Sequence, residues 1–562
     1  MAQVLFNQVV DSTGGLNFRA DQFQLASNES PDMLNVEIDP RGGLFSRAGW
    51  QFKHTNPVNV GSAPWTPKGV YNFQGDTPTI MLTTGYTTSG STTYVGGVFK
   101  STGSDFTQLN YGVASANYNI PVNNTDGASF AQWDTTLYMV TGTSTSVAYK
   151  WETGNTYAST LAASGPTWQV YELPVGGFFP RANLAIVHAN KMFVANTYEN
   201  GVAYPNRLRW SHENSPENWF DDDYIDINAG GEGIRGLVIV DGQLLIFKPK
   251  AIYLLMGYDA DNFQLVELST ILGIDYPQQA VAGDGGCYFF DYPKGLYFYD
   301  RNGIQDLFVR LRPILIDGEI NVTALDKITV SFVNNRLWLS MPYAAAPTTP
   351  PAYAAVNFIF DRTISEIGAY TQFQSSGGYG LVSGTDWRDS SDNVFHLLIH
   401  PSVKFVCYVD DFDNTEDDNY VSASVVSQDF SSYYRTSWFD DNRYVQEKTF
   451  LGPDFVLKEV DAITEVRLNV YYDFDSTTQQ RSQTIKLTPV TTGGLYGTGV
   501  YGTAVYGTDT VGASVYEGSP LGRARAVQLE FVGPTDALTD TAGREWGINS
   551  IAYKFKRRNI KG

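Results

Sequence analysis

Leu237 to Pro249 reads LVIVDGQLLIFKP, an apolar stretch, a turn and a second apolar stretch. The same arrangement recurs as FQGDTPTIMLTTG from Phe73, FAQWDTTLYMVTG from Phe130, LAIVHANKMFVAN from Leu184, AVAGDGGCYFFDY from Ala280, TVSFVNNRLWLSM from Thr329 and TDWRDSSDNVFHLLI from Thr385. The turn positions Asp76, Asp134, Ala189, Asp241, Asp284, Asn334 and Asp392 stand 58, 55, 52, 43, 50 and 58 residues apart. Each copy is followed by another strand-like run ending in turn chemistry, such as RLRWSHEN, AIYLLMGYD and GLYFYDRNG. Repeats of roughly 40–50 residues with about four strands each have the form of propeller blades. One blade cannot bury both of its faces, so such units stack radially into a closed body. The expected fold is all-β, centred on a β-propeller of about seven blades, within a range of about six to eight.

Composition agrees with that class. Aromatic residues make up 14% of the 562 positions and charged residues only 17%, with 53 Gly and 35 Tyr, a mixture that favours strands and tight turns over helix bundles. The two cysteines, Cys287 and Cys407, each sit in a strand-like apolar run and read as buried free thiols of a chain made in a reducing cytoplasm. MAQVLFNQVVDSTGG is not a signal peptide, and no apolar stretch reaches the length of a membrane helix. Net charge is −21, so the expected surface repels nucleic acid, whose binding needs Lys and Arg to displace counterions. The local exception is KFKRRNIKG at 554–562, where Lys556, Arg557 and Arg558 are candidates for docking on an acidic neighbour.

Three regions follow from the pattern. Residues 1–60 read as an extended N-terminal arm, 61–430 as the propeller, and 431–562, with its longer alternating strands, as a β-sandwich. PYAAAPTTPPAYAA (342–355) reads as an exposed insertion between blade strands. Within the sandwich, residues 493–518 read as a projecting Gly/Tyr-rich loop in which Tyr496, Tyr501 and Tyr506 recur with a period of five. Such tyrosines offer rigid contact area at low entropic cost, and they are candidate subunit contacts.

Chemistry is harder to find. His396 and His400 are four apart in a strand-like run with no glutamate following the first, so a structural role is expected rather than a zinc pair. DDFDNTEDDNY (410–420) resembles a calcium loop but lacks its glycine and its distal glutamate. Asp411, Asp413 and Asp417, with Asp221, Asp222 and Asp223 of DDDYID, are candidate acidic channel or loop residues. SHENSPENW (211–219) resembles the aspartate boxes of sialidase propellers only superficially, without their glycine and threonine. A glycosidase needs two carboxylates facing a cleft, and 59 acidic residues neither single out nor exclude such a pair. No GxSxG, HExxH, P-loop or dinucleotide fingerprint occurs, so no catalytic, cofactor-binding or metal residue is assigned.

One resemblance spans all three regions. Gly14-Gly15, Asn28-Glu29-Ser30, Leu34-Asn35, Gly42-Gly43-Leu44, Arg47 and Trp50 are similar to the opening of tail tubular or nozzle proteins of short-tailed bacteriophages. RLRWSHENSPENW, Asp223 to Asp226, GLVIVDGQLLIFKPKAIYLLMG and GGCYFFDYPKGLYFYDRNGIQDL resemble propeller segments of such proteins, and WGINSIAYKFKRR their closing strand. The chain is shorter than many nozzle proteins and shows no large inserted domain. The resemblance implies a non-enzymatic virion component, a homo-oligomer of six in the tail tube below an adaptor ring. It would contact the portal-proximal adaptor and the tail fibres or tip, retain the genome, and pass double-stranded DNA during ejection without binding it specifically. An acidic wall suits sliding DNA, which carries about one charge per 1.7 Å. Heterologous contacts repeated about an axis close such rings. The alternative expectation is a tail receptor-binding propeller that recognises host surface polysaccharide.

Overall fold

A computed structural model describes residues 5–21, 24–58, 67–85, 87–89, 92–94, 97–113, 116–122, 126–142, 147–161, 179–199, 201–228, 232–342, 355–364, 368–375, 380–401, 404–409, 418–421, 425–428, 430–457, 464–487, 514–517, 521–533 and 546–557. Its described elements are almost all strands. The chain divides into two compact units. One takes residues 51–357 and 378–409; the other takes 1–50, 358–377 and 410–562.

The first unit has a propeller-like fold built from the recurring hairpins. Antiparallel sheets follow one another along the chain, beginning with the strands Pro67–Gln74, Ser129–Trp133, Arg181–His188, Gly236–Val240, Ala280–Gly283, Thr329–Val333 and Val382–Arg388. Each of these first strands packs on the next, and Val382–Arg388 packs back on Pro67–Gln74, so the series closes on itself. The sixth sheet continues into Ala355–Asp361, the strand along which the chain leaves the unit. In the seventh sheet, Val382–Arg388, Val394–His400 and Phe405–Val409 are completed by Gln51–Phe52 from the start of the chain, with Phe52 opposite Cys407 and Gln51 opposite Tyr408.

Burial on both faces explains why the repeat reads as continuous apolar runs. In Gln243–Lys248, Leu244 and Ile246 join a cluster with Phe193, Leu208 and Trp210 of the preceding sheet. Leu245 and Phe247 join another with Cys287 and Phe289 of the following sheet. Each such side chain contributes about 1.5–3 kcal/mol of burial. Both cysteines are free and buried.

The second unit contains a larger sheet centred on Lys448–Leu457 and Gly547–Arg557 and a smaller one centred on Val527–Val532. The N-terminal residues are strands of these sheets. Leu5–Val10 pairs with Gly547–Arg557, Leu44–Ser46 joins the same strand, and Asp32–Leu34 pairs with Tyr433–Arg435. The packing therefore cuts the chain differently from the contiguous division 1–60, 61–430 and 431–562. Residues 1–50 are distributed among strands of this unit, and 358–377 and 410–430 belong with them. Pairing between segments some 500 residues apart is invisible to local periodicity (Trp546 N–H donates to Ser46 Oγ at 3.1 Å).

The opening motif becomes a polar joint inside this unit. Asn35, with left-handed backbone (φ 54°), donates to the Ser431 carbonyl at 2.7 Å and accepts from Arg47 Nε and Gln374 N–H, both at 2.9 Å. The Arg47 guanidinium lies 3.6 Å from the Phe430 ring centre. A Cβ on Gly15 (φ 66°) would lie 2.8 Å from the Tyr370 carbonyl oxygen, so no larger residue fits there.

Candidate functional site

DDDYID was singled out as an acidic segment, and its surroundings are largely neutralised. RLRW supplies Arg207 and Arg209 on the strand Val202–Trp210, which pairs with Tyr224–Asp226. Alternation puts both guanidinia on one face, above Glu199 of the adjoining strand. Arg207 donates two hydrogen bonds to Asp226 at 2.9 Å and one to Glu199 at 3.0 Å. Arg209 donates to Glu199 at 3.0 Å and to the carbonyl oxygens of Phe220 and Asp221. Tyr204 and Tyr224 flank Arg207, their ring centres 4.0 and 3.7 Å from the guanidinium carbon. The hydrogen bonds to Asp226 raise the Arg207 guanidinium further above its already high ordinary value, against the effect of burial. Asp221 and Asp222 remain exposed, whereas burial, reinforced by Asp222, raises the Asp223 carboxyl. This is a rigid surface feature with two free acidic side chains at its edge.

A second cluster lies at one mouth of the ring of first strands, on residues the repeat analysis did not single out. Lys68, almost fully buried, donates to Asp326 at 3.2 Å. Lys68 lies at the start of the first sheet and Asp326 in the short helix Val322–Lys327 ahead of the sixth, sheets that are not neighbours in the ring. Burial lowers the Lys68 ammonium and Asp326 opposes that shift. Burial raises Asp126, opposed by Arg235 and Lys68; burial raises Asp275, opposed again by Arg235. Gln278 and Gln279 donate to the Asp326 and Leu325 carbonyl oxygens at 2.6 and 3.2 Å. These groups lead into the first, second, fourth, fifth and sixth sheets. Their signal in the sequence is a charged residue two to five positions ahead of five of the seven apolar copies: Lys68, Asp126, Arg235, Asp275 and Asp326. Of these charges, Lys68 and Asp326 form a direct ion pair, which ties the first strand to the segment before the sixth sheet.

The remaining candidates are scattered. Lys556 and Arg557 lie on Gly547–Arg557. Arg557 grips Asp441 with two hydrogen bonds of 2.5 and 2.9 Å, and Lys554 pairs with Asp454, so Arg557 and Lys554 already have acidic partners in their own chain. Arg558, Tyr496, Tyr501, Tyr506, Asp411, Asp413 and Asp417 lie outside the described residues. The end of the Gly/Tyr-rich segment, Ser514–Glu517, pairs with Lys448–Leu457. His396 Nδ1 lies 2.8 Å from Asp386, and His400 is buried two pleats further along the strand, about 13 Å away and too far to share a metal. Among the described residues, no group of three His, Cys, Asp or Glu is placed to hold a metal ion.

No family model and no curated protein matches the chain. Solved structures similar to it include the extracellular domain of BT4673 from B. thetaiotaomicron, at 10% identity and a TM-score of 0.36, covering 73% of this chain and 44% of that one. BBS1N, solved in complex with ARL6DN, is similar at 10% identity and a TM-score of 0.38, covering 66% of this chain and all of that one. The chain thus spans less than half the length of the BT4673 domain, and likenesses at these scores carry no argument about function.

Proposed function

We propose that the chain is a non-enzymatic structural subunit of a bacteriophage tail. In this reading it is a seven-bladed propeller joined to a β-sandwich, six copies of which ring the tail axis as a nozzle or tube. The ring retains the genome below the portal-proximal adaptor, contacts tail fibres or the tail tip, and conducts DNA during ejection. The observation that carries the reading is the fate of the opening motif. Gly15, Asn35, Arg47 and Trp50, four of the residues on which the phage resemblance rests, are integral to one unit, each confined by hydrogen bonds, close backbone approach or complete burial. Residues so confined are scaffold, as expected of a shared architectural signature. The acidic balance, with Asp221 and Asp222 exposed, supports a surface that does not hold DNA.

The test is the mass and shape of the purified chain. The expected particle is a six-fold ring with an open axis, alone or on portal–adaptor complexes. A trimer or monomer with measurable affinity for host polysaccharide would instead support the receptor-binding reading, which Tyr258, 77% exposed, also favours.

A further inference from the structure

The segments that lead into the first, second, fourth, fifth and sixth sheets touch one another at the mouth of the ring. A Cβ on Gly127 would lie 2.9 Å from the Lys68 Cβ, which puts the Asp126 segment beside Lys68. Lys68 reaches Asp326 at 3.2 Å, and Gln278 and Gln279 hold that same segment by its carbonyl oxygens. Gln279 Oε1 in turn accepts the Asp275 N–H at 3.0 Å. Arg235 and Ile274 donate their N–H groups to the adjacent carbonyls of Phe247 and Lys248 at 2.8 and 3.1 Å, so the segments carrying Arg235 and Asp275 run side by side. Asp126, Arg235, Asp275 and Tyr276 are all half-buried there, recessed yet open to solvent.

Backbone groups and glutamines make most of these contacts, and polar side chains are left over. Among the described residues the Asp275 carboxylate has no hydrogen bond and no ion pair. Arg235 gives one side-chain hydrogen bond, to the exposed Glu232 at 3.1 Å, and its Nε has no partner. Burial raises the Asp275 carboxyl, and Arg235 opposes that shift from beyond hydrogen-bond reach. The Tyr276 phenol is raised by burial and then by Asp326 and Asp275, so it stands near both. Recessed charges without partners cost stability, and groups kept at that cost mark binding sites.

The ligand that suits them is donor and acceptor at once. An anion would meet Asp126, Asp275 and Asp326, and a cation would meet Lys68 and Arg235. Vicinal hydroxyls satisfy both signs, one donating to a carboxylate while its neighbour accepts from a guanidinium. A zwitterion also offers both, but its carboxylate would enter a recess in which aspartates outnumber cations.

We propose that this mouth is a saccharide-binding site, in which Asp275 accepts from and Arg235 donates to vicinal hydroxyls of one sugar ring, with the Tyr276 hydroxyl beside them. The site does not depend on the ring of six, since a hexamer and a monomer can both carry it.

Saturation-transfer NMR on the full chain tests it, with the methyl glycosides of glucose, galactose, mannose and rhamnose at millimolar concentration and alanine as the zwitterion. Transfer to at least one glycoside is expected, with affinity about tenfold weaker or more in Asp275→Ala and in Arg235→Gln. Asp275→Asn, which keeps the shape and removes the charge, should melt at an unchanged or higher temperature, because its carboxylate has no partner to lose. A lower melting temperature for that variant, with glycoside affinity intact in Asp275→Ala, makes the aspartate structural and overturns the proposal. Transfer to none of the glycosides overturns the site, and transfer to alanine alone overturns the choice of a saccharide. Binding that survives both Asp275→Ala and Arg235→Gln places the sugar elsewhere and overturns the assignment.

Discussion

Ala189 holds left-handed backbone (φ 46°), followed by Asn190 at 55°. Asp241, Asp284 and Asn334 occupy the equivalent turn position at φ 50° to 52°. Asp and Asn tolerate that region through local hydrogen bonding, whereas alanine has only its Cβ clash. Ala189→Gly should therefore stabilise the fold by about 1 kcal/mol. The readout is a higher urea midpoint at an unchanged denaturant slope, and an unchanged or lower midpoint would contradict the strain argument. Two histidines impose a different dependence. His54 Nε2 accepts the Val406 N–H at 2.9 Å, so its proton sits on Nδ1, 2.6 Å from the Asn56 carbonyl oxygen. Burial lowers its pKa and takes that of the fully buried His400 down to about 3. Both rings are neutral in the fold, while the unfolded chain binds protons below about pH 6.5. Stability is thus complete above that value and falls as pH drops through it. For His400 the loss is about 2 kcal/mol at pH 5. Measured between pH 7.5 and 5, His400→Phe should shed that part of the slope; an identical slope would show that His400 is not buried neutral.

Among the elements, local hairpins were legible and distant pairings were not. Gln243–Lys248 announces itself because its turn and its partner strand lie within a few residues, and both of its faces are covered. Leu5–Val10 carries no comparable signal, since its partner begins at Gly547. Taken locally, its residues read only as part of an extended arm. The basic run at 554–557 was legible as charge, but nothing local to it reveals that Asp441 and Asp454 already neutralise Arg557 and Lys554. The loop Asp440–Glu447 carries no signal because its anchor, the buried Lys448, looks in sequence like any surface lysine. Lys448→Met should leave the carbonyls of Arg443, Gln446 and Arg525 without a donor, at a cost of about 3 kcal/mol. Hydrogen exchange would check this: amides of 440–447 should exchange faster while those of Val527–Val532 keep their protection. Unchanged protection of the loop would mean that the ammonium does not organise it.

For the molecule as a whole, periodicity revealed repeated wedges but not how they are locked. The Lys68–Asp326 pair joins residues 258 positions apart, so no sequence window contains it. Completion of the seventh sheet depends likewise on a strand of two residues, Gln51–Phe52, too short for any pattern to mark. Its surroundings show how such a strand holds. Phe52 stacks on Phe405 with ring centres 3.8 Å apart, Lys53 N–H donates to the Val406 carbonyl at 3.0 Å, and Val58 N–H donates to the Lys404 carbonyl at 2.9 Å. Val58 then enters the cluster formed by Ile80, Leu82, Trp387, Leu397 and Val406, which spans the first and last sheets. If this clasp completes the seventh sheet, fixing it covalently should stabilise the unit. Phe52 faces Cys407 across antiparallel strands, where Cβ atoms stand about 5 Å apart, within a small adjustment of disulfide geometry. Cys287, buried in the fifth sheet, is remote from this pair. Phe52→Cys should therefore form one disulfide with Cys407 on oxidation. The loop so closed exceeds 300 residues, and the chain-entropy estimate for one that long is about 6 kcal/mol, less any strain. Comparing the oxidised and reduced forms of the same variant cancels the lost aromatic stack. The oxidised form should unfold several degrees higher and resist proteolysis between residues 51 and 58. Failure of the thiols to join, or equal midpoints for the two forms, would mean that this strand does not hold the seventh sheet together.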